Sequence, residues 1–446
     1  MQGRRTRPPS GFTTLVGVGA SGITGVVGGL LGVLLFSRSN RRVDWVAWAI
    51  HPDLMVFGFL TLFIITLAVS LLPRLNRTSI HPKLGLAPIV LLASATPLWA
   101  AFYTHPLIGD TVLLAATLVF TLITFSSVKP PRNTVGYGNI YFAAGALTLV
   151  VVATIKTFVD AQNPYGEWGD YAYTWLAVMG FPTSMILGVW QHTAHFRGVS
   201  PRKKLSAAAS ILWCAALATY ILGATATSHA TLLAAVGEAV EVAALAAFLF
   251  NLSVFTPVQL PSRWALELNK SRYAWFDRSM RIASLWLIVG VALQILYNLS
   301  LEGFNAGYGR LLDAWIHTTA LGFYLIVIAS YAPIMLPVLI RGKASAIRLT
   351  LIPQLLVSLG VAWRLLTDLL IAFTGFNAAT LLEYSPAPVI LAILVFLVDV
   401  HRVRGERTPD ARTSSPILYP LNQTQSAGSS NTIGDHDKNT VSANGS

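Results

Sequence analysis

Charge is scarce in this chain. Lys, Arg, Asp and Glu make up 11% of its 446 residues, against about 25% in ordinary globular proteins. Acidic groups are the rarer kind, 19 against 31 basic ones, while hydrophobic residues fill 54% and the mean hydropathy is +0.61. A water-soluble fold could not hide that much apolar surface, so the solvent for most of the chain is a lipid bilayer. One cysteine, Cys214, excludes a disulfide scaffold. No phosphate loop, dinucleotide fingerprint or soluble catalytic domain is recognisable. The Gly17-Val18-Gly19 triplet lies in an apolar run with no strand before it and reads as helix packing.

What is there is a series of apolar runs broken by charge. Hydropathy places twelve spans at 12–36, 45–73, 84–103, 109–128, 138–159, 171–195, 205–227, 229–255, 280–299, 314–340, 349–373 and 384–400. The connections alternate in charge. Arg74, Arg77 and Lys83 follow span 2; Arg197, Arg202, Lys203 and Lys204 follow span 6; Arg341, Lys343 and Arg348 follow span 10. The connection after span 5 is acidic, with Asp160, Glu167 and Asp170, and Arg38, Arg41 and Arg42 are the exception on that side. The positive-inside rule then predicts a cell-membrane protein with both termini cytoplasmic. It accounts for the net charge of +12 without a nucleic-acid partner. Arg4, Arg5 and Arg7 precede a first span too long for a signal peptide, so that span is expected to be retained. The predicted organisation is a cytoplasmic amino end over 1–11, an all-α membrane bundle over 12–403 and a disordered cytoplasmic tail over 404–446, rich in Ser, Thr, Asn and Gly.

Ionisable groups within lipid are costly, and their positions are the best functional clues. His51 sits about 9 Å below the start of span 2, and His317 about 5 Å below the start of span 10, at 1.5 Å per residue. Both spans run inward, so the two imidazoles share a level on different helices. Two such rings could clamp a haem iron, or each could be an interfacial histidine with a hydrogen-bond partner. His192 and His195, at the inner end of span 6, form a His-x-x-His pair that suits either a metal or a basic interfacial cluster. Spans 2, 6 and 10 also share a layout, each with a Gly-Phe pair (Gly58-Phe59, Gly180-Phe181, Gly322-Phe323), and their spacing of four helices hints at a threefold internal repeat.

Glu238 and Glu241 lie on one face of span 8, Glu238 about 13 Å below His229. Two carboxylates so close cannot both be charged cheaply in lipid. They suit a proton relay, a cation site or a hydrogen-bonded structural pair. Arg364 and Asp368, at i and i+4 on span 11, can neutralise one another. Trp168, Tyr171, Tyr173 and Trp175 read as an interfacial aromatic belt.

The twelve-span topology and the segment His51-Pro52-Asp53-Leu54-Met55-Val56-Phe57 resemble the haem–copper oxidase subunit I superfamily, and most of all its NnrS-type branch. The resemblance implies a helical bundle of that fold and a b-type haem near the outer surface. His51 and His317 would be its axial ligands, and Arg364, with Lys156 and Arg310 behind it, would partner the propionates. It implies a role in the nitric-oxide or nitrogen-oxide response, with a diatomic gas or a redox protein as partner. The copper-site motif of that superfamily is absent. Gly180-Phe181-Pro182-Thr183-Ser184-Met185 stands where a ligating histidine and a tyrosine belong, Trp315 and Thr319 flank His317 without a second histidine, and His229 is the one remaining candidate as a further metal ligand. Copper, oxidase chemistry and nitric-oxide reduction are therefore not expected. The rival expectation is a proton- or cation-coupled secondary transporter using Glu238 and Glu241. Its weakness is a short connection between spans 6 and 7, where a long central loop would join two six-span halves.

Overall fold

The computed structural model describes residues 11–37, 50–131, 133–163, 168, 170–194, 199–225, 230–256, 267–301, 308–340, 347–374 and 379–405. They form an all-helical bundle with twelve helices long and apolar enough to cross a membrane. The helices are α1 (Gly11–Ser37), α2 (Ile50–Asn76), α3 (Pro82–Ala101), α4 (Leu107–Ser127), α5 (Gly138–Asp160), α6 (Tyr171–Thr193), α7 (Lys203–Thr225), α8 (Ala230–Asn251), α9 (Glu267–Leu301), α10 (308–340), α11 (Ile347–Thr374) and α12 (Pro386–Gly405). The tail from residue 406, His229 and His195 lie outside the described residues.

Lipid offers no partner to a backbone N–H or C=O, so each crossing segment must satisfy its own, and helices do so throughout. Three helices differ from the rest. In α2, α6 and α10 the α-helix opens into a wider π-turn stretch, at Leu54–Thr61, Leu176–Gly180 and Thr318–Leu325 respectively. Among the described residues no other segment does so. The same three helices are the inner ones: 89%, 94% and 72% of their apolar stretches are buried, against 28–50% in the other nine. The hint of a threefold repeat in the sequence thus has a structural counterpart. Helix pairs α1–α2, α5–α6 and α9–α10 pack together, and so do α3–α4, α7–α8 and α11–α12. The chain is three sets of four helices, each contributing one central member.

A π-turn leaves carbonyls short of their helical partner, and such bulges concentrate at special sites. Here one is reclaimed by a neighbour. The Tyr324 hydroxyl, in the π stretch of α10, donates to the Val178 carbonyl in the π stretch of α6 at 2.7 Å. It also pairs with the Thr183 hydroxyl at 2.8 Å. Phe181 is fully buried and meets Phe120 edge-on.

Helix α1 enters this frame through glycine. Gly17, Gly25, Gly28 and Gly32 face Thr66, Phe59, Met55 and His51 of α2 in antiparallel order, while Gly22 and Gly29 face Leu397 and Ile390 of α12. Small residues let helix backbones approach where no hydrophobic effect drives them together. Gly17 is therefore the packing contact expected of it, whereas Gly19 faces open space. At the far end, α2 stops at Arg77 in the left-handed conformation (φ 52°), where the Thr78 N–H returns to the Pro73 carbonyl at 2.8 Å.

Two boundaries depart from the sequence reading. Helix α10 begins at Tyr308 rather than 314, and α9 begins at Glu267 rather than 280. Breaking the spans at charged residues caused both errors. Arg310 and Asp313 do not end α10, because they pair with each other and with α11 inside the bundle.

The α1 seam yields a measurable expectation. A Cβ at Gly25 would stand 2.7 Å from the Phe59 ring, so Gly25→Leu overpacks the seam and costs about 1–3 kcal/mol. Thermal unfolding in detergent should fall for Gly25→Leu and stay unchanged for Gly19→Leu.

Candidate functional site

The described ionisable groups of the membrane region that pair across helices gather at one end of the bundle, opposite the end where α1 begins and α12 finishes. They form three clusters, each tied to one central helix.

The first cluster centres on α10. His317 immediately precedes the π stretch that begins at Thr318, and its Nδ1 meets the Asp313 carbonyl oxygen at 2.9 Å and Asp313 Oδ1 at 2.8 Å. The other Asp313 oxygen pairs with Arg364 of α11. Arg364 Nε donates to Asp368 Oδ2 at 2.9 Å, and its Nη1 reaches the Ser385 hydroxyl at 3.4 Å. Arg310 stands 3.7 Å from Asp313. The i,i+4 pair of Arg364 and Asp368 is thus present, but Arg364 is shared with Asp313 as well. Sequence reading missed Asp313, although its position four residues before His317 is the spacing that brings side chains together on a helix.

His51 belongs to the same neighbourhood. It is on α2, three residues before the π stretch begins at Leu54. Its Nδ1 meets the Gly28 carbonyl of α1 at 2.9 Å, and a Cβ at Gly32 would stand 3.0 Å from its ring. His51 lies within electrostatic reach of His317, Asp313 and Arg364. The two histidines thus lie within electrostatic reach of one another, and both are held through Nδ1. Each engages a backbone carbonyl through Nδ1, and among the described residues Nε2 of neither ring has a hydrogen-bond partner. Such an anchor fixes ring orientation and tautomer and presents Nε2 as a ligand. Two turns deeper, the seam of α1, α2, α10, α11 and α12 encloses an apolar cavity of about 20 Å³ beside Val18, Phe59, Phe63, Leu325 and Phe396.

The second cluster surrounds Lys156 of α5. Its ammonium lies 2.9 Å from Asp160, 3.1 Å from Asp53 of α2 and 3.6 Å from Asp110 of α4, and all four side chains are fully buried. Trp168 and Trp99 donate their indole N–H groups to Asp53 and Asp110, at 3.2 and 2.9 Å. Lys156 is therefore committed to carboxylates of the chain itself. It is expected from the sequence behind Arg364 as a propionate partner, and Asp53 and Asp110, both distant in sequence, are what that expectation lacks.

The third cluster holds Glu238 and Glu241 of α8 against α6, α7 and α9. One oxygen of Glu241 accepts from Trp175 Nε1 and Gln294 Nε2, both at 2.9 Å, and from the Tyr220 hydroxyl at 3.4 Å. Glu238 accepts from Asn298 Nδ2 at 3.1 Å, and the same amide reaches the Tyr171 hydroxyl at 2.9 Å. The second oxygen of each carboxyl is buried and meets no donor. The expected aromatic belt is corrected here. Tyr173 and Trp175 are fully buried, Trp175 stacks on Tyr220 with ring centres 3.7 Å apart, and the indoles of Trp168 and Trp175 serve carboxylates. An indole N–H in lipid seeks an acceptor, and these aspartates and glutamates supply one.

The remaining histidines contribute little. His192 holds the Gly188 carbonyl at 3.0 Å and stacks on Phe142, while His81, His105 and His401 are exposed. Among the described residues no group of three or more His, Cys, Asp or Glu side chains is arranged to hold a metal ion.

Removing Arg364 tests the first cluster. Arg364→Met strands the buried carboxylate of Asp368 and the partly exposed one of Asp313, at a cost of about 3–5 kcal/mol. Thermal unfolding should fall sharply for Arg364→Met and recover in part when Asp368→Asn is added. Compared with known proteins, the chain matches no protein-family model, and it has no significant match among curated proteins.

Proposed function

We propose that this chain is an integral membrane haem-binding protein whose axial ligands are His51 and His317. The reading rests on one observation: the two imidazoles sit at the same end of two central helices, each held through Nδ1 on a backbone carbonyl with Nε2 left over. The donor set fits a haem iron, for which imidazole nitrogen is a standard axial ligand. The present packing leaves a cavity of only about 20 Å³ beside these helices, so loading requires α2 and α10 to move apart.

When bound, a b-type haem with two axial imidazoles would supply one-electron chemistry, because both iron positions are taken. The chain's own contribution is orientation and charge. Gly28 and Asp313 hold the rings, and the Asp313–Arg364–Asp368 series sets the charge beside His317. Arg364, within electrostatic reach of His51, is the guanidinium proposed for a propionate, which would compete with Asp313 and Asp368 for it. The resemblance to the NnrS-type branch favours a role in the nitrogen-oxide response, with the protein in the cell membrane and both termini cytoplasmic. Phe181 and Met185 supply no copper ligand pair, so copper is not part of this proposal.

A second reading has its own support. The bare carboxyl oxygens of Glu238 and Glu241 suit a proton path, either serving the haem or driving coupled transport.

The deciding measurement is the reduced-minus-oxidised visible spectrum of protein purified from haem-replete cells. A b-type spectrum in the wild type, lost in both His51→Ala and His317→Ala, is expected. A spectrum retained in either variant overturns the ligand pair. Colourless protein whose reconstituted vesicles take up protons, with uptake abolished by Glu241→Gln, would install the transporter reading instead.

A further inference from the structure

The threefold frame has three seams between its sets of helices, and they are not alike. Helix α4 packs closely on α5, and α12 on α1, whereas α8 and α9 meet only briefly. Between α8 and α9 the ring opens into a groove of about 880 Å³, within the size range of ligand sites. Its walls are apolar. Val242, Leu245, Ala246 and Leu249 of α8 face Leu287 and Val291 of α9. Residues 242 to 249 cover about 10 Å of depth at 1.5 Å per residue.

One end of the groove is polar and basic. Helix α8 stops at Asn251, and Ser253 turns the chain in the left-handed conformation (φ 49°). The Asn251 carboxamide holds the Arg202 backbone N–H at 2.8 Å and the Ser206 hydroxyl at 2.9 Å, which pins the α6–α7 connection across the groove's mouth. Arg202 is exposed, with its guanidinium over the Phe250 ring at 5.7 Å. Among the described residues it meets no carboxylate. Lys203 and Lys204 beside it are exposed. Arg281 stands at the same mouth, donating to the Thr256 carbonyl while paired with Asp277.

We infer that the α8–α9 groove is a specific site for an anionic phospholipid, with the acyl chains between α8 and α9 and the phosphate on Arg202. Charge decides the occupant. An apolar slot alone would take any lipid, but an exposed guanidinium at its polar end favours a phospholipid head with a net negative charge over a zwitterionic one. The two closed seams need no such filler. The open one would otherwise leave apolar walls without partner atoms.

The test uses the full chain in nanodiscs of phosphatidylcholine containing a minor fraction of phosphatidylglycerol, followed by gentle detergent extraction and native mass spectrometry. Wild type should carry a retained phosphatidylglycerol in preference to phosphatidylcholine. Arg202→Ala, an exposed change that spares the fold, should weaken that retention roughly fivefold. Ala246→Trp, which fills the slot, should remove it. Equal retention of the two lipids overturns the inference, as does preference unaltered in Arg202→Ala, or a neutral isoprenoid in place of the phospholipid.

Discussion

A charge inside a bilayer has to find its counter-charge or its donors within the protein, and the upper half of this bundle is organised by that demand. Transfer of an isolated ion into an apolar medium is prohibitive. The chain nonetheless places Asp53, Asp110, Lys156, Asp160, Glu238, Glu241, Arg364 and Asp368 at burial of nine-tenths or more. Each has a partner on another helix, or on its own helix one turn away. These pairings link α2 to α4 and α5, α6 to α7, α8 and α9, and α10 to α11 and α12. In the apolar remainder, lipid is as good a neighbour as leucine, and packing alone decides which helices meet. Polar partnership therefore fixes neighbours at one end, and glycine and small-residue contact does so along the rest, as on α1.

How much of this was legible depended on the range of the interaction. The twelve crossings were readable because hydropathy is local. Arg364 with Asp368 was readable because i,i+4 spacing makes neighbours on a helix. So was the shared face of Glu238 and Glu241. The common level of His51 and His317 followed from counting residues inward along two parallel runs. What could not be read was partnership across helices. Nothing in the sequence around Lys156 points to Asp53, which precedes it by about a hundred residues, or to Asp110. Asp313, at i−4 from His317, falls just outside a span that begins at 314. Charge marks a boundary in most spans, and in a helix whose charges are paired internally that signal fails.

The site calls for the same distinction. Sequence placed His51 and His317 near the starts of two inward-running spans. It could not show that Gly28 and Asp313 would take the same nitrogen of each ring. That shared anchoring fixes the orientation of both rings and leaves Nε2 of each as the nitrogen not committed to a carbonyl.

The threefold frame shows that two central helices carry a histidine at the head of the π stretch and the third carries Trp175 there. Register the three helices on their π stretches. His317 immediately precedes the stretch in α10, His51 precedes the one in α2 by a single turn, and Trp175 immediately precedes the one in α6. Trp175 cannot ligate; its indole N–H instead donates to Glu241. The position that would complete a ring of three imidazoles is therefore given over to holding a carboxylate. The same frame makes the α8–α9 seam exceptional. Helix α8 turns its polar groups inward to Trp175, Tyr220, Gln294 and Asn298 near one end, and α9 meets it there through those two amides. Toward the other end no such pairing joins the helices among the described residues, and the groove opens where the polar contacts stop.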